Sequence, residues 1–311
     1  MITKREILRL AKERDACEEG IEWYEDKPKS ALLTWEALSN DYFTWVAQNI
    51  PEAMPYLITL PEELKERALN SKKGSIRISM AYIGHRLDIL KDDSYWEIRE
   101  EVAVKGYALE QLKDDPEEMV REAVALKGYA LEQLKGDPHW RVRAAVAHQG
   151  YALEQLKDDP YYEVRAEVAL KGHALEQLKD DIHPWVRLVV ASKGYALEQL
   201  KDDPNWEVRR EVAKQGYALE QLKDDSDSWV RSEVAAQGYA LDKLKDDPSE
   251  WVRRLVADQG YALEQLKDDP NWCVRVGVAE QGYALEQLKD DPDEYVRRIA
   301  REKLEELCND N

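Results

Sequence analysis

The stretch GYALEQLKDDPEEMVREAVALK, residues 106–127, establishes the architecture of this chain, because its 22-residue pattern recurs ten times without insertion or deletion. Self-similarity at a fixed period of this length is typical of a solenoid, in which each unit packs on its neighbours. Positions within a repeat are numbered 1 to 22 from its first glycine. These glycines are Gly84, Gly106, Gly128, Gly150, Gly172, Gly194, Gly216, Gly238, Gly260 and Gly282.

Each repeat predicts two helices and no strand, and therefore an all-α fold. Positions 3–8, with the sequence Ala-Leu-Glu-Gln-Leu-Lys, have room for a short helix that is partly 3₁₀. Asp at position 10, followed in most repeats by Pro at position 11, predicts the start of a second helix of about twelve residues. Val at positions 15 and 19 falls on one face of this helix, and the next glycine provides a left-handed C-terminal cap.

The repeat pattern extends upstream of the first complete repeat. Ile76 and Arg77 fall at positions 15 and 16 of a preceding unit, and Met80 and Ala81 fall at positions 19 and 20. We therefore expect a helical N-terminal capping region over 1–61 and a solenoid over 62–311. The solenoid comprises a degenerate first repeat (62–83), the ten repeats (84–303) and a C-terminal cap (304–311).

The motif L-x-x-L-x-x-D followed by V-R-x-x-V-A, as at residues 109–125, resembles the leucine-rich repeat variant family of bacterial solenoids. The resemblance covers about residues 76–303 and implies a right-handed superhelix of one α-helix and one 3₁₀ helix per unit. That family is associated with a cysteine-ligated iron–sulfur cluster before its repeats. Only Cys17 precedes the repeats here, so no cluster is expected. HEAT-like solenoids are the nearest alternative, and members of both families mostly bind partners.

Composition narrows the partner class. The net charge is −19, from 64 acidic and 45 basic residues, which disfavours nucleic-acid binding because phosphate backbones would be repelled. The three cysteines form no C-x-x-C pair and are too few for a disulfide framework. No signal peptide and no apolar run long enough for a membrane span is visible, so we expect a cytoplasmic protein with no membrane partner.

The repeats differ mainly at positions 14, 17, 18 and 21, which share one face of the longer helix. This variable face carries apolar and arginine side chains in the fifth to eighth repeats, and such residues dominate binding interfaces. The candidate partner-binding residues are Trp185, Leu188, Arg210, Trp229, Trp251, Arg254 and Leu255. Two alternatives remain open at this point: an unconstrained solvated face, or tryptophans moved from position 13 to 14 that still pack between neighbouring repeats.

An arginine occupies position 16 in all ten repeats, from Arg99 to Arg297. A basic row for an anionic polymer is one interpretation. We favour an ion pair with Asp at position 9 or 10, because guanidinium and carboxylate groups pair well in half-buried sites. No calcium loop, H-E-x-x-H motif, phosphate loop or catalytic triad is present, so we expect no metal, no cofactor and no enzymatic activity.

The leading hypothesis is a non-enzymatic scaffold that binds a protein or peptide through the variable face. The alternative is an acidic mimic of nucleic acid that inhibits a DNA- or RNA-binding protein, which the net charge and the regular aspartates motivate. A third class, an enzyme on a HEAT-like frame such as a DNA glycosylase, is disfavoured because no basic groove is indicated.

Overall fold

The computed structural model describes residues 9, 12, 13, 21, 22 and 61–309. All secondary-structure elements with described bounds are α-helices, arranged in regular pairs with a period of 22 residues, as the repeat predicts. The chain divides into two compact units between Leu156 and Lys157. The predicted N-terminal capping region, residues 1–61, lies outside the described residues except for residues 9, 12, 13, 21, 22 and 61. None of the described helices is long and apolar enough to cross a membrane.

The first unit has nine helices among its described residues, and long and short helices alternate from the second one onward. Each long helix packs on the next long helix, and the first helix packs on the second. The helices are α1 (Glu62–Leu69), α2 (Gly74–Tyr82), α3 (Leu87–Leu90), α4 (Trp96–Val104), α5 (Leu109–Leu112), α6 (Glu118–Leu126), α7 (Leu131–Leu134), α8 (Trp140–His148) and α9 (Leu153–Leu156).

The second unit continues the alternation through thirteen described helices, and consecutive long helices again pack together. Its helices are α10 (Tyr162–Leu170), α11 (Leu175–Leu178), α12 (Pro184–Ser192), α13 (Leu197–Leu200), α14 (Trp206–Lys214), α15 (Leu219–Leu222), α16 (Ser228–Ala236), α17 (Leu241–Leu244), α18 (Glu250–Asp258), α19 (Leu263–Leu266), α20 (Trp272–Glu280), α21 (Leu285–Leu288) and α22 (Glu294–Asn309).

The long helix begins at about position 13, and the predicted start at the Asp-Pro pair of positions 10 and 11 is wrong. In the sixth repeat the carboxylate of Asp203 accepts a hydrogen bond from the backbone N–H of Asn205, at 2.8 Å. Asn205 is the residue that caps the helix, and its own side chain accepts from Glu207 N–H at 2.8 Å. The aspartate therefore closes the turn before the helix, and the residue at position 12 caps the helix.

The short helix covers positions 4–7 only and is α-helical in every repeat, not partly 3₁₀. It is preceded by a residue in the left-handed region, such as Ala218 with φ of +54°. The glycine at position 1 is also left-handed, as Gly216 with φ of +71° illustrates. The backbone N–H of the next residue, Tyr217, donates to the backbone oxygen of Val212 at 3.2 Å. This bond closes the preceding helix, as expected of a glycine cap.

The core of each unit lies between its long and short helices. In the sixth repeat Val208, Val212 and Ala213 have no exposed surface, and Leu222, at position 7 of the seventh repeat, is buried. Leu219, at position 4, is less buried than Leu222. Because every repeat supplies similar buried side chains at positions 7, 15 and 19, and all but the last also at position 20, the core is nearly identical along each unit.

Candidate functional site: the variable face of the long helices

The arginine at position 16 makes the predicted ion pair, and its partner is Asp at position 10 of the following repeat. Arg209 donates to both carboxylate oxygens of Asp225, from Nε at 2.6 Å and from Nη2 at 2.8 Å. Its Nη1 donates to the backbone oxygen of Asp203 at 2.7 Å. The guanidinium group therefore joins its own helix to the turn before it and to the turn of the next repeat.

The same pair recurs along both units, and we call it the Arg–Asp ladder. Even the degenerate first repeat takes part, through Arg77. Its described members are Arg77–Asp93, Arg99–Asp115 and Arg121–Asp137 in the first unit, and Arg165–Asp181, Arg187–Asp203, Arg209–Asp225, Arg231–Asp247, Arg253–Asp269 and Arg275–Asp291 in the second.

Within the Arg–Asp ladder, the electrostatic interactions favour the ionised carboxylate of the aspartate and the protonated guanidinium group of the arginine. Burial alone would raise the pKa of Asp225, but the hydrogen bonds from Arg209 and from the Asp227 N–H outweigh it, so the pKa is lowered. The bond to Asp225 raises the pKa of Arg209. Since these arginines are saturated by carboxylate and carbonyl oxygens, the ladder stabilises the stack and is not a basic surface for an anionic polymer.

The short helices carry a second, exposed set of contacts between neighbouring repeats. Tyr195 donates its hydroxyl proton to Glu176 of the preceding repeat at 2.7 Å, and Lys179 donates to the same glutamate at 2.6 Å. Gln265 donates to Asp246 of the preceding repeat at 2.6 Å. Contacts within and between repeats thus involve the side chains at positions 2, 5, 6, 8 and 9. These contacts explain why the residue types at these positions hardly vary between repeats.

The variable face contains three half-exposed tryptophans, all in the second unit. Trp185 is 51% exposed, Trp229 is 48% exposed and Trp251 is 51% exposed. We call these three residues the aromatic strip. Each lies at position 14, and the residue before it, at position 13, is Pro, Ser or Glu rather than the aromatic found in most other repeats. In these repeats the aromatic has moved from position 13 to position 14.

The two alternatives for these tryptophans are both partly right. Trp229 and Trp251 stack on each other, with ring centroids 6.5 Å apart and planes 17° from parallel, so they do pack between adjacent repeats. About half of each side chain nevertheless faces solvent. Stacking holds the two rings in one orientation and leaves one continuous aromatic surface exposed.

Positions 17 and 18 are less exposed than the helical wheel predicts, with Arg210 and Arg298 as the exposed residues at position 17. Val189 is buried at position 18 and Ser232 is buried at position 17, and the candidate residues Leu188 and Leu255 are half-buried. The expectation of a broad outward face is therefore wrong. Each long helix in the middle of a unit is flanked by long helices on two sides, so the exposed strip is narrow and centred on positions 14 and 21.

The two candidate arginines differ in how freely they can meet a partner. Arg210 is exposed and makes one ion pair, with Glu233 at 3.1 Å. Arg254 is half-buried and fully engaged: it donates to Asp258 at 2.7 Å, to the backbone oxygen of Cys273 at 2.8 Å and to Glu280. Arg254 thus links α18 to α20, so the interpretation of this residue as a binding contact is not supported by its contacts.

Sequence reasoning did not select Trp272 and Tyr295, two exposed aromatic residues that contact each other. Trp272 is 47% exposed, and its ring meets that of Tyr295 edge-on at 5.7 Å between centroids. Trp272 lies at position 13, where an aromatic is expected to pack between repeats. A signal was present in the sequence, since Cys273 at position 14 is small and buried and leaves the tryptophan as the outermost side chain.

The first two complete repeats carry acidic side chains on the equivalent face of the first unit. Glu100 and Glu122 are half-buried at position 17 of adjacent repeats. Burial raises the pKa of Glu100, and the charge of Glu122 raises it further. Burial also raises the pKa of Glu122, whose Oε2 atom is buried without a hydrogen-bond partner among the described residues. The first unit therefore presents a different surface chemistry from the second on the same helix face.

Comparison with known protein families and with curated proteins finds no match to this chain.

Proposed function

We propose that the second unit binds a protein or peptide through the aromatic strip, without enzymatic chemistry. The observation that supports this proposal is the half-exposure of Trp185, Trp229 and Trp251 on the variable face of the long helices. Three half-exposed tryptophans offer roughly 250–350 Å² of aromatic surface. Trp229 and Trp251 stack into one aromatic patch, and Trp185 is a separate exposed aromatic two repeats earlier. Exposed apolar patches often mark interaction sites.

Arg210 extends the proposed surface with a polar contact. It lies on α14, between the repeats that carry Trp185 and Trp229, and its single exposed ion pair with Glu233 can be exchanged for a carboxylate of a partner. Tryptophan and arginine are among the residue types most enriched in binding hot spots. The resemblance to leucine-rich repeat variant proteins, on the motif at residues 109–125, implies the same use of the scaffold.

The test is selection of peptides by the full-length protein from a random peptide display library, followed by affinity measurement on three proteins. The second protein is the triple variant Trp185→Ala, Trp229→Ala and Trp251→Ala. The control replaces Tyr195, Tyr217 and Tyr239 by alanine, which removes three partly exposed aromatics from the short-helix side together with their hydrogen bonds to Glu176, Glu198 and Glu220. All three proteins are first compared by circular dichroism.

We expect selected peptides to bind the strip variant at least about 30-fold more weakly, since even one hot-spot residue contributes about 2 kcal/mol or more. The tyrosine variant should bind within about threefold of the parent. Equal loss in both variants, or no loss in a folded strip variant, would contradict the proposal. Loss of helix in the strip variant alone would show that the tryptophans serve packing and not binding.

One observation supports the alternative hypothesis of an acidic mimic of nucleic acid. Exposed carboxylates recur at positions 5 and 9 of the repeats, as at Glu176 and Asp180. Lys179 pairs with Glu176, whereas the aspartates at position 9 mostly accept hydrogen bonds from neutral glutamines, as Asp180 does from Gln199. A mimic would lose affinity for its protein partner steeply between about 50 and about 500 mM NaCl, roughly as nucleic acid does. An aromatic interface would change little over the same range.

A further inference from the structure

A glutamate pair and a histidine meet at the beginning of the first unit. Glu62 and Glu66 lie one turn apart on α1, and His85 lies at position 2 of the first complete repeat, where eight of the ten repeats have tyrosine. His85 Nε2 is 3.5 Å from Glu62 Oε1 and 3.6 Å from Glu66 Oε1. The three ligand-type atoms all lie within 4.8 Å of one another.

The spacing of these atoms does not fit ordinary hydrogen bonding. His85 Nε2 is buried and has no hydrogen-bond partner among the described residues. Its distances to the two carboxylates exceed the usual N–H···O range of about 2.7–3.2 Å. A zinc ion with ligands at about 2.0–2.1 Å in tetrahedral geometry separates its ligand atoms by about 3.4 Å. The two distances from His85 Nε2, 3.5 and 3.6 Å, are close to that value, and the two carboxylate oxygens lie within 4.8 Å of each other.

We propose that Glu62, Glu66 and His85 bind one divalent transition metal ion of the zinc type. Two carboxylates offset the charge of a divalent ion, and one imidazole with two carboxylates is a ligand set that such ions accept. Lys65 approaches the other oxygen of Glu62, Oε2, at 3.4 Å, an outer contact of the kind that orients a metal ligand. Arg86 donates to Glu66 Oε1 itself at 3.3 Å, so a metal ion would share this oxygen with Arg86 or displace its hydrogen bond.

The ion would fasten α1 to the turn that opens the first complete repeat. Glu66 falls at position 5 of the degenerate first repeat, so it corresponds to the glutamate that later repeats use to link neighbours. In those repeats the tyrosine at position 2 donates to this glutamate, as Tyr129 does to Glu110 at 2.7 Å. A metal bridge from His85 would replace this tyrosine link at the end of the array.

Sequence motifs did not indicate this site, since the three ligands come from two structural elements and follow no H-E-x-x-H spacing. Among the side chains that the structure describes, those of residues 9, 12, 13, 21, 22 and 61–307, no second group of three His, Cys, Asp or Glu comes this close together. His173, the other histidine at position 2, is therefore a matched control.

The experiment titrates zinc into the chelator-treated full-length protein in the presence of a fluorescent zinc indicator. The variants are His85→Tyr, Glu66→Gln and the control His173→Tyr. Tyrosine is the usual residue at position 2, so both histidine variants should fold, and circular dichroism checks this. Hydrogen exchange of the α1 amides with and without zinc provides a second measurement.

We expect the parent and His173→Tyr to bind one equivalent of zinc with protection of α1. His85→Tyr and Glu66→Gln should bind at least about 100-fold more weakly and show no protection. Weak binding of zinc to the many surface carboxylates should be equal in all four proteins and defines the background. The proposal is overturned if the parent has no site above this background, or if a folded His85→Tyr or Glu66→Gln variant retains it.

Discussion

Replacement of Arg209 by lysine should loosen the stack around α14 and α16, because lysine keeps the charge but not the geometry of the Arg–Asp ladder. Arg209 makes two hydrogen bonds to the Asp225 carboxylate and one to the Asp203 backbone oxygen. An ammonium group lacks the planar fork of a guanidinium group and can keep about one of the three.

The size of the effect follows from the two bonds lost. A hydrogen bond to a charged group contributes about 1.5–3 kcal/mol. The side chains of Arg209 and Asp225 are only 13% and 7% exposed, so water can replace the lost donors only in part. We therefore expect the free energy of local unfolding to fall by about 2–4 kcal/mol.

Hydrogen exchange measured by mass spectrometry is the appropriate assay, since a repeat array need not unfold in one step. Protection of the amides in α14 and α16 should fall by roughly 30- to 1,000-fold, at about 1.4 kcal/mol per tenfold change. The neighbouring substitution Arg210→Lys is the matched control. It changes one exposed ion pair and should cost at most about 0.5 kcal/mol.

A change of less than about threefold for Arg209→Lys, or an equal change for Arg210→Lys, would refute the assignment of the ladder as a stabilising element. Weaker peptide binding by Arg209→Lys with unchanged exchange would point instead to a role of this arginine in recognition.

Three further changes test other parts of the structure. Gly277→Ala would place a methyl group 2.8 Å from Arg254 Cδ and 2.9 Å from Asp258 Oδ1, so we expect a lower thermal midpoint, equivalent to about 1–3 kcal/mol. The loss caused by Gly277→Ala should be smaller in an Arg254→Ala background than in the parent, and a neutral single variant would contradict the clash. Ala218→Gly should remove the strain of a left-handed alanine, and this strain exceeds the entropy that a glycine adds to the unfolded chain. We therefore expect the free energy of unfolding measured in urea to rise by about 0.5–1 kcal/mol, and a lower value would count against strain at this turn. Glu122→Gln should raise the thermal midpoint of the first unit at pH 7. Burial raises the folded pKa of Glu122 above its ordinary value of 4.5, so the parent loses stability as the pH rises from that value through the folded pKa. The advantage of the variant should disappear near pH 4, and an equal advantage at both pH values would exclude titration of Glu122 as the cause.

The proposed binding surface could be located from sequence only in part. Variation at position 14 marked Trp185, Trp229 and Trp251, because a solvent-facing tryptophan in an otherwise constant repeat is informative without coordinates. The same comparison placed Leu255 on the surface, although it is half-buried. A helical wheel describes one helix, whereas exposure at positions 17 and 18 depends on the helices on either side.

The sequence pattern also could not predict which residues of neighbouring repeats contact each other. The constant Arg and Asp indicated an ion pair, but either aspartate in either of two repeats could have been the partner. Only the stacking of consecutive repeats decides that Arg209 meets Asp225. The same holds for Glu62, Glu66 and His85, whose approach depends on how α1 packs beside the first complete repeat.

The repeat length, the helical composition, the buried Leu, Val and Ala positions and the glycine caps are all readable in the amino-acid sequence, because each follows from local preferences that recur with a fixed period. Where the long helix begins depends on packing, since the Asp at position 10 is recruited by the arginine of the preceding repeat and by the turn. Packing also selects which variable side chains remain exposed. Burial on the helix face depends on neighbouring repeats, and no property of a single repeat contains that information.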